Sequence, residues 1–274
     1  MQIRSIEAFP VRLPLKGVLT LSRGVSRTIE EGKQIVLVKI TGEDGTVGWG
    51  EAGPSRRWSA ETIHSVYTTI VHYLTPVLVG RDAFDLAGAH RAMDKEMAPG
   101  LDPGQPVAKA AIDLALHDLI GKSLGIPLQS WFGNKSTDRV RLAYLVSAPG
   151  PAETREVVTR GLAEGYRDFK VKVGSNLAND IANLEVTMEL AGDGGKVWPD
   201  ANQGYTLADA LRAARAFDSM GVEIFEQPVP MNDIYGMKKL LSATSMTIAL
   251  DEATMGLSFV IVRLRREAIE GEVI

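Results

Sequence analysis

Two lysines and three carboxylates mark the second half of this chain. Lys170 and Lys172 flank Val171 in the run Phe169-Lys170-Val171-Lys172-Val173. Asp200 closes Val197-Trp198-Pro199, Glu226 closes Ile224-Phe225, and Asp251 closes Ile248-Ala249-Leu250. Asp200 lies 30 residues beyond Lys170, Glu226 another 26, and Asp251 another 25. A strand, a turn, a helix and a return loop need about that many residues, so the interval predicts successive βα units of a parallel barrel. Barrel chemistry sits at the C-terminal ends of the strands, where these charges fall. Adjacent strands run about 4.8 Å apart, which brings the three acids within reach of one ion. Unpaired carboxylates that close repel and raise one another's pKa. A hard divalent cation resolves the conflict, and an all-oxygen set without His or Cys suits Mg²⁺ or Mn²⁺ rather than Zn²⁺. Taken singly, each acid reads equally well as a strand-end or helix-capping carboxylate.

Lys170 and Lys172, two positions apart, project to one face of a strand. A lysine beside a second lysine and a divalent cation has its pKa lowered and can act as a base near neutrality. Such a base would take the proton next to a carboxylate while the metal stabilises the enediolate. The plain alternative is a surface pair neutralised by Asp168 or Asp180. Asn202, two beyond Asp200, faces the same way and can hydrogen-bond a ligand, and Glu252 can hydrogen-bond a neighbouring lysine. Ser22, Arg23 and Arg27 fall in a polar loop able to close over a carboxylate substrate, although most such loops are merely solvated. Arg56, Arg57 and Trp58 carry a similar, weaker reading. His64, His72, His90 and His117 all precede the barrel on predicted helices, so none supplies a strand-end base. Without cysteine or a Gly-rich phosphate loop, thiolate chemistry and P-loop phosphate binding are excluded.

The elements that must position these groups follow from periodicity. Residues 2–14 alternate as a long strand; Gln34–Ile40 and Thr46–Glu51 form a hairpin about Asp44-Gly45. Ser59 is read as the cap of a helix from Ala60 to about Thr75, stopped by Pro76. Residues 83–96 predict a second helix, and a Gly/Pro/Asp hinge leads to a third that Gly125-Ile126-Pro127 ends. From Arg139 strands and helices alternate: strands at 140–147, 168–173, 196–201, 222–226 and 246–251, helices at 151–164, 176–191, 206–220, 233–242 and 256–269. The fold class is therefore α/β: an α+β domain over 1–135, followed by a partial barrel domain over 136–274.

Bulk properties narrow the function. At 45% hydrophobic and 23% charged residues, 274 residues can build a real core, and a net charge of −4 gives no drive toward nucleic acid or anionic membrane. No apolar run approaches the roughly 20 residues of a membrane span. Met1-Gln2-Ile3-Arg4 opens an alternating pattern rather than a signal sequence. A cytoplasmic protein, acting on a small carboxylate and assembled as a homo-oligomer, is expected.

Lys170-Val-Lys172, Asp200-Ala-Asn202, Glu226-Gln-Pro228 and Asp251-Glu252, preceded by Gly48-Trp-Gly-Glu51, resemble the enolase superfamily. The helix from Ala111 to Leu119, with Gly121-Lys122 and Gly125-Ile-Pro-Leu128, is similar to the mandelate racemase/muconate lactonizing enzyme family. That resemblance implies a capping domain and a modified (β/α)7β barrel. It implies Mg²⁺ on Asp200, Glu226 and Asp251, Lys172 as base, and Lys170 steadying the carboxylate or enolate. Among the low-weight positions, Asn202, Glu252 and Arg23 would contact substrate or support the site. The Lys-x-Lys motif points to the muconate-lactonizing subgroup of isomerases, whose activities include cycloisomerases, dipeptide epimerases and N-acylamino-acid racemases. The same interval places a sixth strand near position 276, so the chain is expected to be truncated at that strand's start, with two-base turnover impaired. A non-catalytic relic or assembly module, a Schiff-base lysine aldolase and an acid-sugar dehydratase are the competing readings.

Overall fold

The computed structural model describes residues 1–15, 19–21, 24–56, 59–99, 103–133, 137 and 139–254. They belong to two compact units, one from Met1–Val18 and Ser26–Asp138, the other from Leu19–Val25 and Arg139–Ile274. The predicted helix at 256–269 and the start of a sixth strand lie outside the described residues, as do Arg23, Arg57 and Trp58.

The first unit is an antiparallel sheet backed by helices. β1 (Ile3–Leu13) pairs with β4 (Lys33–Gly42), and β4 pairs with β5 (Val47–Ala52) through the Asp44-Gly45 turn, where Gly45 takes the positive φ (86°) that the turn needs. Between β1 and β4, where a simple loop is read from sequence, the chain leaves this unit: β2 (Leu19–Leu21) and β3 (Gly24–Arg27) pair as a short ribbon, most of which belongs to the second unit. The long helix α4 (Pro106–Leu124) lies on β5 so closely that a Cβ at Gly48 or Gly50 would overlap the carbonyl oxygens of Ala115 or Ala111. Ile3, Val36, Val38 and Ile40 of the sheet and Ile112, Leu116 and Leu119 of α4 share this core.

The first helix departs from expectation. Thr62, not Ser59, is its cap, closing a reciprocal box with Ser65. α1 (Ile63–Thr68) runs through a π-helical turn (Thr69–Leu74) into α2 (Thr75–Leu78). Pro76 does not stop this rod: it stands second in α2, directly after the π-helical turn. Asp85 caps α3 (Leu86–Glu96). α4 begins after Gln105, whose side chain makes no cap; instead the buried Glu61 carboxylate accepts the N–H groups of Val107 (2.6 Å) and Ala108 (3.1 Å). Gly125 in the left-handed conformation ends α4, and the short α5 (Leu128–Trp131) follows.

The second unit is strictly alternating. β6 (Ala143–Val146), α6 (Pro151–Ala163), β7 (Asp168–Lys172), α7 (Leu177–Ala191), β8 (Val197–Asp200), α8 (Leu207–Ser219), β9 (Ile224–Glu226), α9 (Ile234–Leu241) and β10 (Thr247–Ala249) succeed one another. Their sheet is wholly parallel in the order β10-β9-β8-β7-β6. The strands are shorter than the apolar runs predict, because the runs continue into hydrogen-bonded turns beyond the ladder. Helix starts are set locally: Asn176, Thr206 and Asp233 cap α7, α8 and α9 with their side chains. Phe169, Val171, Leu184, Phe217 and Phe225 form the core between sheet and helices. No described helix is long and apolar enough to cross a membrane.

Candidate active site at the strand ends

Alternation along β7 buries Phe169 and Val171 in the helix-side core and turns Lys170 and Lys172 to the opposite face. Parallel register sets Lys172 beside Asp200, and Asp200 beside Glu226. Lys170 Nζ donates to Glu226 Oε1 (2.7 Å) and lies 2.9 Å from Asp200 Oδ2, so its ammonium bridges the two carboxylates. Lys172 Nζ donates to Asp200 Oδ2 (2.6 Å) and Asn202 Oδ1 (2.7 Å). The other oxygen of Asp200, which is fully buried, accepts the Asn202 N–H at 3.0 Å. Asp168 and Asp180 take no part in neutralising the lysines. Asp168 pairs with Arg141, and Asp180 accepts the Gly174 N–H (2.9 Å) and the Tyr205 hydroxyl (2.7 Å).

Lys170 stands among anions. Burial opposes its charge, but the hydrogen bonds to Glu226 and Asp200 outweigh that cost and hold its pKa above the ordinary value, not below it. Burial alone would lower a lysine; here two anions in hydrogen-bond contact reverse the sign. Glu252 is the opposite case. Burial and the charges of Asp251 and Asp200 raise its pKa, against bonds from its own backbone N–H and from Asn202. Its partner is the Asn202 amide (3.3 Å), not a lysine.

Asp251 is not drawn into the cluster: its side chain is exposed and pairs with neither lysine. Among the described residues, no group of three or more acids or histidines stands close enough to hold a metal. Lys170 Nζ lies between Asp200 and Glu226, at 2.9 and 2.7 Å from their oxygens. The donor chemistry still suits a hard divalent ion, since the acids are all oxygen donors on consecutive strand ends. Glu252 Oε2 adds a buried carboxylate oxygen with no hydrogen-bond partner among the described residues.

Sequence reasoning passed over three residues here. Trp198 donates its indole N–H to Glu226 Oε2 at 3.0 Å; it lies two before Asp200, and the period of a strand would have put it on the same face. Gln203 and Gln227 carry positive φ (66° and 36°), as does Asn202 (43°); asparagine favours that conformation, but glutamine gives no such signal. A cavity of about 350 Å³ lies at the other end of the sheet, between Arg141, Lys196, Trp198 and Glu223, away from the strand C-termini.

A capping-type α+β unit and a parallel βα unit, with acids and lysines interlocked at strand C-termini, define the enolase type of architecture. The chain belongs to the mandelate racemase/muconate lactonizing enzyme family. Residues 12–133 match the description "Mandelate racemase / muconate lactonizing enzyme, N-terminal domain", and residues 153–270 match "Enolase C-terminal domain-like". The chain is 30% identical over 253 residues to the N-succinyl-L-Arg/Lys racemase of Bacillus cereus, covering 92% of this chain and 66% of that protein. It is 33% identical over 256 residues to the L-Ala-D/L-Glu epimerase of Bacillus subtilis, covering 92% and 67%. Its fold matches the crystal structure of a dipeptide epimerase from Enterococcus faecalis complexed with Mg and L-Leu-L-Tyr, with a TM-score of 0.88 at 29% identity, covering 97% of this chain and 72% of that one. The chain thus spans about two thirds of the length of the curated relatives it matches.

Proposed function

We propose that the chain carries the proton-abstracting site of a Mg²⁺-dependent isomerase, a racemase or epimerase acting α to the carboxylate of an N-acyl amino acid or dipeptide. The observation that carries this reading is the interlocking of Lys170, Lys172, Asp200 and Glu226 on one face of three successive strands. Asp200, Glu226 and Asp251 would hold the ion, which when bound would stabilise the enediolate of the substrate carboxylate. Lys172 is the base: Asp200 and Asn202 hold its Nζ at a fixed point, and it must shed a proton before it can take one. Lys170 carries the positive charge that receives the substrate carboxylate once Asp200 and Glu226 release it. Trp198 keeps Glu226 oriented through that change. Relatives named for acylated or peptidic amino acids and relatives named for muconates both match this chain, and the substrate class proposed follows the former.

The test is exchange of the Cα proton. One base suffices to wash solvent deuterium into Cα without net inversion, so proton NMR in D₂O with Mg²⁺ reads the step directly. Both enantiomers of N-succinyl and N-acetyl amino acids, and a panel of dipeptides, serve as substrates. Loss of the Cα–H signal, cut by about 100-fold or more in Lys172→Met, is the expected result. No exchange on any substrate, or equal exchange in Lys172→Met, overturns the assignment.

A further inference from the structure

We propose that Gln227 is the positioning residue that sets the turn carrying Asp251 and Glu252 against the ends of β8 and β9. Its side chain is fully buried. Its Oε1 accepts two backbone N–H groups of that turn, from Asp251 (3.0 Å) and Ala253 (3.1 Å). Its Nε2 donates to the Val229 carbonyl at 3.0 Å, which fixes the amide plane from the other side. The backbone of the same residue completes the junction: its N–H donates to the Ala249 carbonyl, and its carbonyl accepts the Gln203 N–H, both at 2.9 Å. The loops leaving β8, β9 and β10 therefore meet at one glutamine.

The backbone is held in a costly shape to do this. Gln227 sits at φ 36°, beside Asn202 and Gln203, which are also at positive φ. Such conformations persist where surrounding bonds over-determine them, and the five hydrogen bonds at Gln227 do so. An apolar side chain of equal length would fill the space but remove the side-chain acceptor shared by the Asp251 and Ala253 N–H groups. The turn would then lose the anchor that fixes where the Asp251 and Glu252 carboxylates stand. For Asp251 as an ion ligand, this inference rests on the proposed function. The anchoring of the turn does not.

The experiment separates the two. Amide hydrogen exchange of the segment 247–254 is followed without metal in wild type, Gln227→Met and Gln227→Glu, and Mg²⁺ affinity is measured calorimetrically in the same proteins and in Asp251→Asn. Gln227→Met should exchange the Asp251 and Ala253 amides at least about 10-fold faster and weaken Mg²⁺ binding by about 10- to 100-fold. Gln227→Glu retains both acceptor bonds and should restore the amide protection. Unchanged exchange in Gln227→Met overturns the proposal. So does a uniform loss of protection across β8, β9 and β10 in both variants, which is the mark of general packing. If Gln227→Met frees the turn yet binds Mg²⁺ normally while Asp251→Asn does not, positioning is refuted. If Asp251→Asn also binds normally, the metal assignment fails and the amide data alone decide the role of Gln227.

Discussion

Replacing Lys170 by methionine tests the charge balance of the site. In the wild type two ammonium groups face Asp200 and Glu226, and Lys170 touches both acids. The variant leaves the fully buried Asp200 with Lys172, and Glu226 without an ammonium partner. Removing one partner of a buried ion pair costs about 3–5 kcal/mol. The Lys170 side chain is 26% exposed, and Asp200 keeps Lys172 while Glu226 keeps Trp198, so the lower end, about 3 kcal/mol, applies. For a unit of this size that is a fall in Tm of roughly 6–12 °C, read by thermal unfolding in EDTA. Magnesium should then restore what was lost: at 100 times Kd, binding to the folded state alone contributes about 2.7 kcal/mol. The wild type should gain less, because the ion must first displace Lys170 from both acids. The raised pKa of Lys170 sets the pH window. The stabilisation is complete below the ordinary value of 10.5 and is lost as pH rises through the higher folded value, so the difference between the proteins is constant across neutral pH. A variant that melts with the wild type in EDTA, or equal Mg²⁺ stabilisation of both, would refute this account of the site.

Two further outcomes are expected. Trp198→Phe removes the indole N–H from Glu226 Oε2 and should cost about 2 kcal/mol by denaturant unfolding, as for a hydrogen bond to a charged group; it should also abolish the change in tryptophan emission on Mg²⁺ addition, and an unchanged emission response in the variant would count against the contact. Burial raises the Asp180 pKa above 3.8 despite bonds from Tyr205 and the Gly174 N–H, so the stability it contributes is present at low pH and lost as pH rises through the folded value. Asp180→Asn, whose amide oxygen can take the same two bonds, should gain on the wild type as pH rises above the ordinary carboxylate value and level off above the folded one, and a pH-independent difference in urea midpoint would discard the idea.

Spacing made the strand ends of the second unit legible, because a period near 26 residues and two-residue alternation both reflect backbone geometry. Lys170, Lys172, Asp200 and Glu226 were placed on one face by that reasoning, and the structure brings these four together. The ionic state of the site was not legible. Whether a lysine meets a cation or two anions depends on strand register, and a count along the chain does not contain it. Asp251 shows the same limit, since β10 ends at Ala249 and the acid stands in a turn beyond the ladder. In the first unit, Thr62 displaced Ser59 as the cap because Ser65 answers it three residues on, a pairing the sequence does print. The π-helical turn at Thr69–Leu74 has no such signature.

The Glu61 carboxylate over the start of α4 has a consequence for how the first unit is made. Glu61 leaves the ribosome about 46 residues before Val107, which at 5–20 residues per second is a few seconds. During that interval it is a charged side chain without the two amides it will hold, and it keeps the nascent segment around it in contact with water. Until the loop between them closes, at an entropic cost on the order of 3 kcal/mol, the two α4 amides that Glu61 takes are left to water. A helix that needs a carboxylate made earlier does not mature by itself as it emerges. The start of α4 is therefore coupled to a segment made 46 residues earlier.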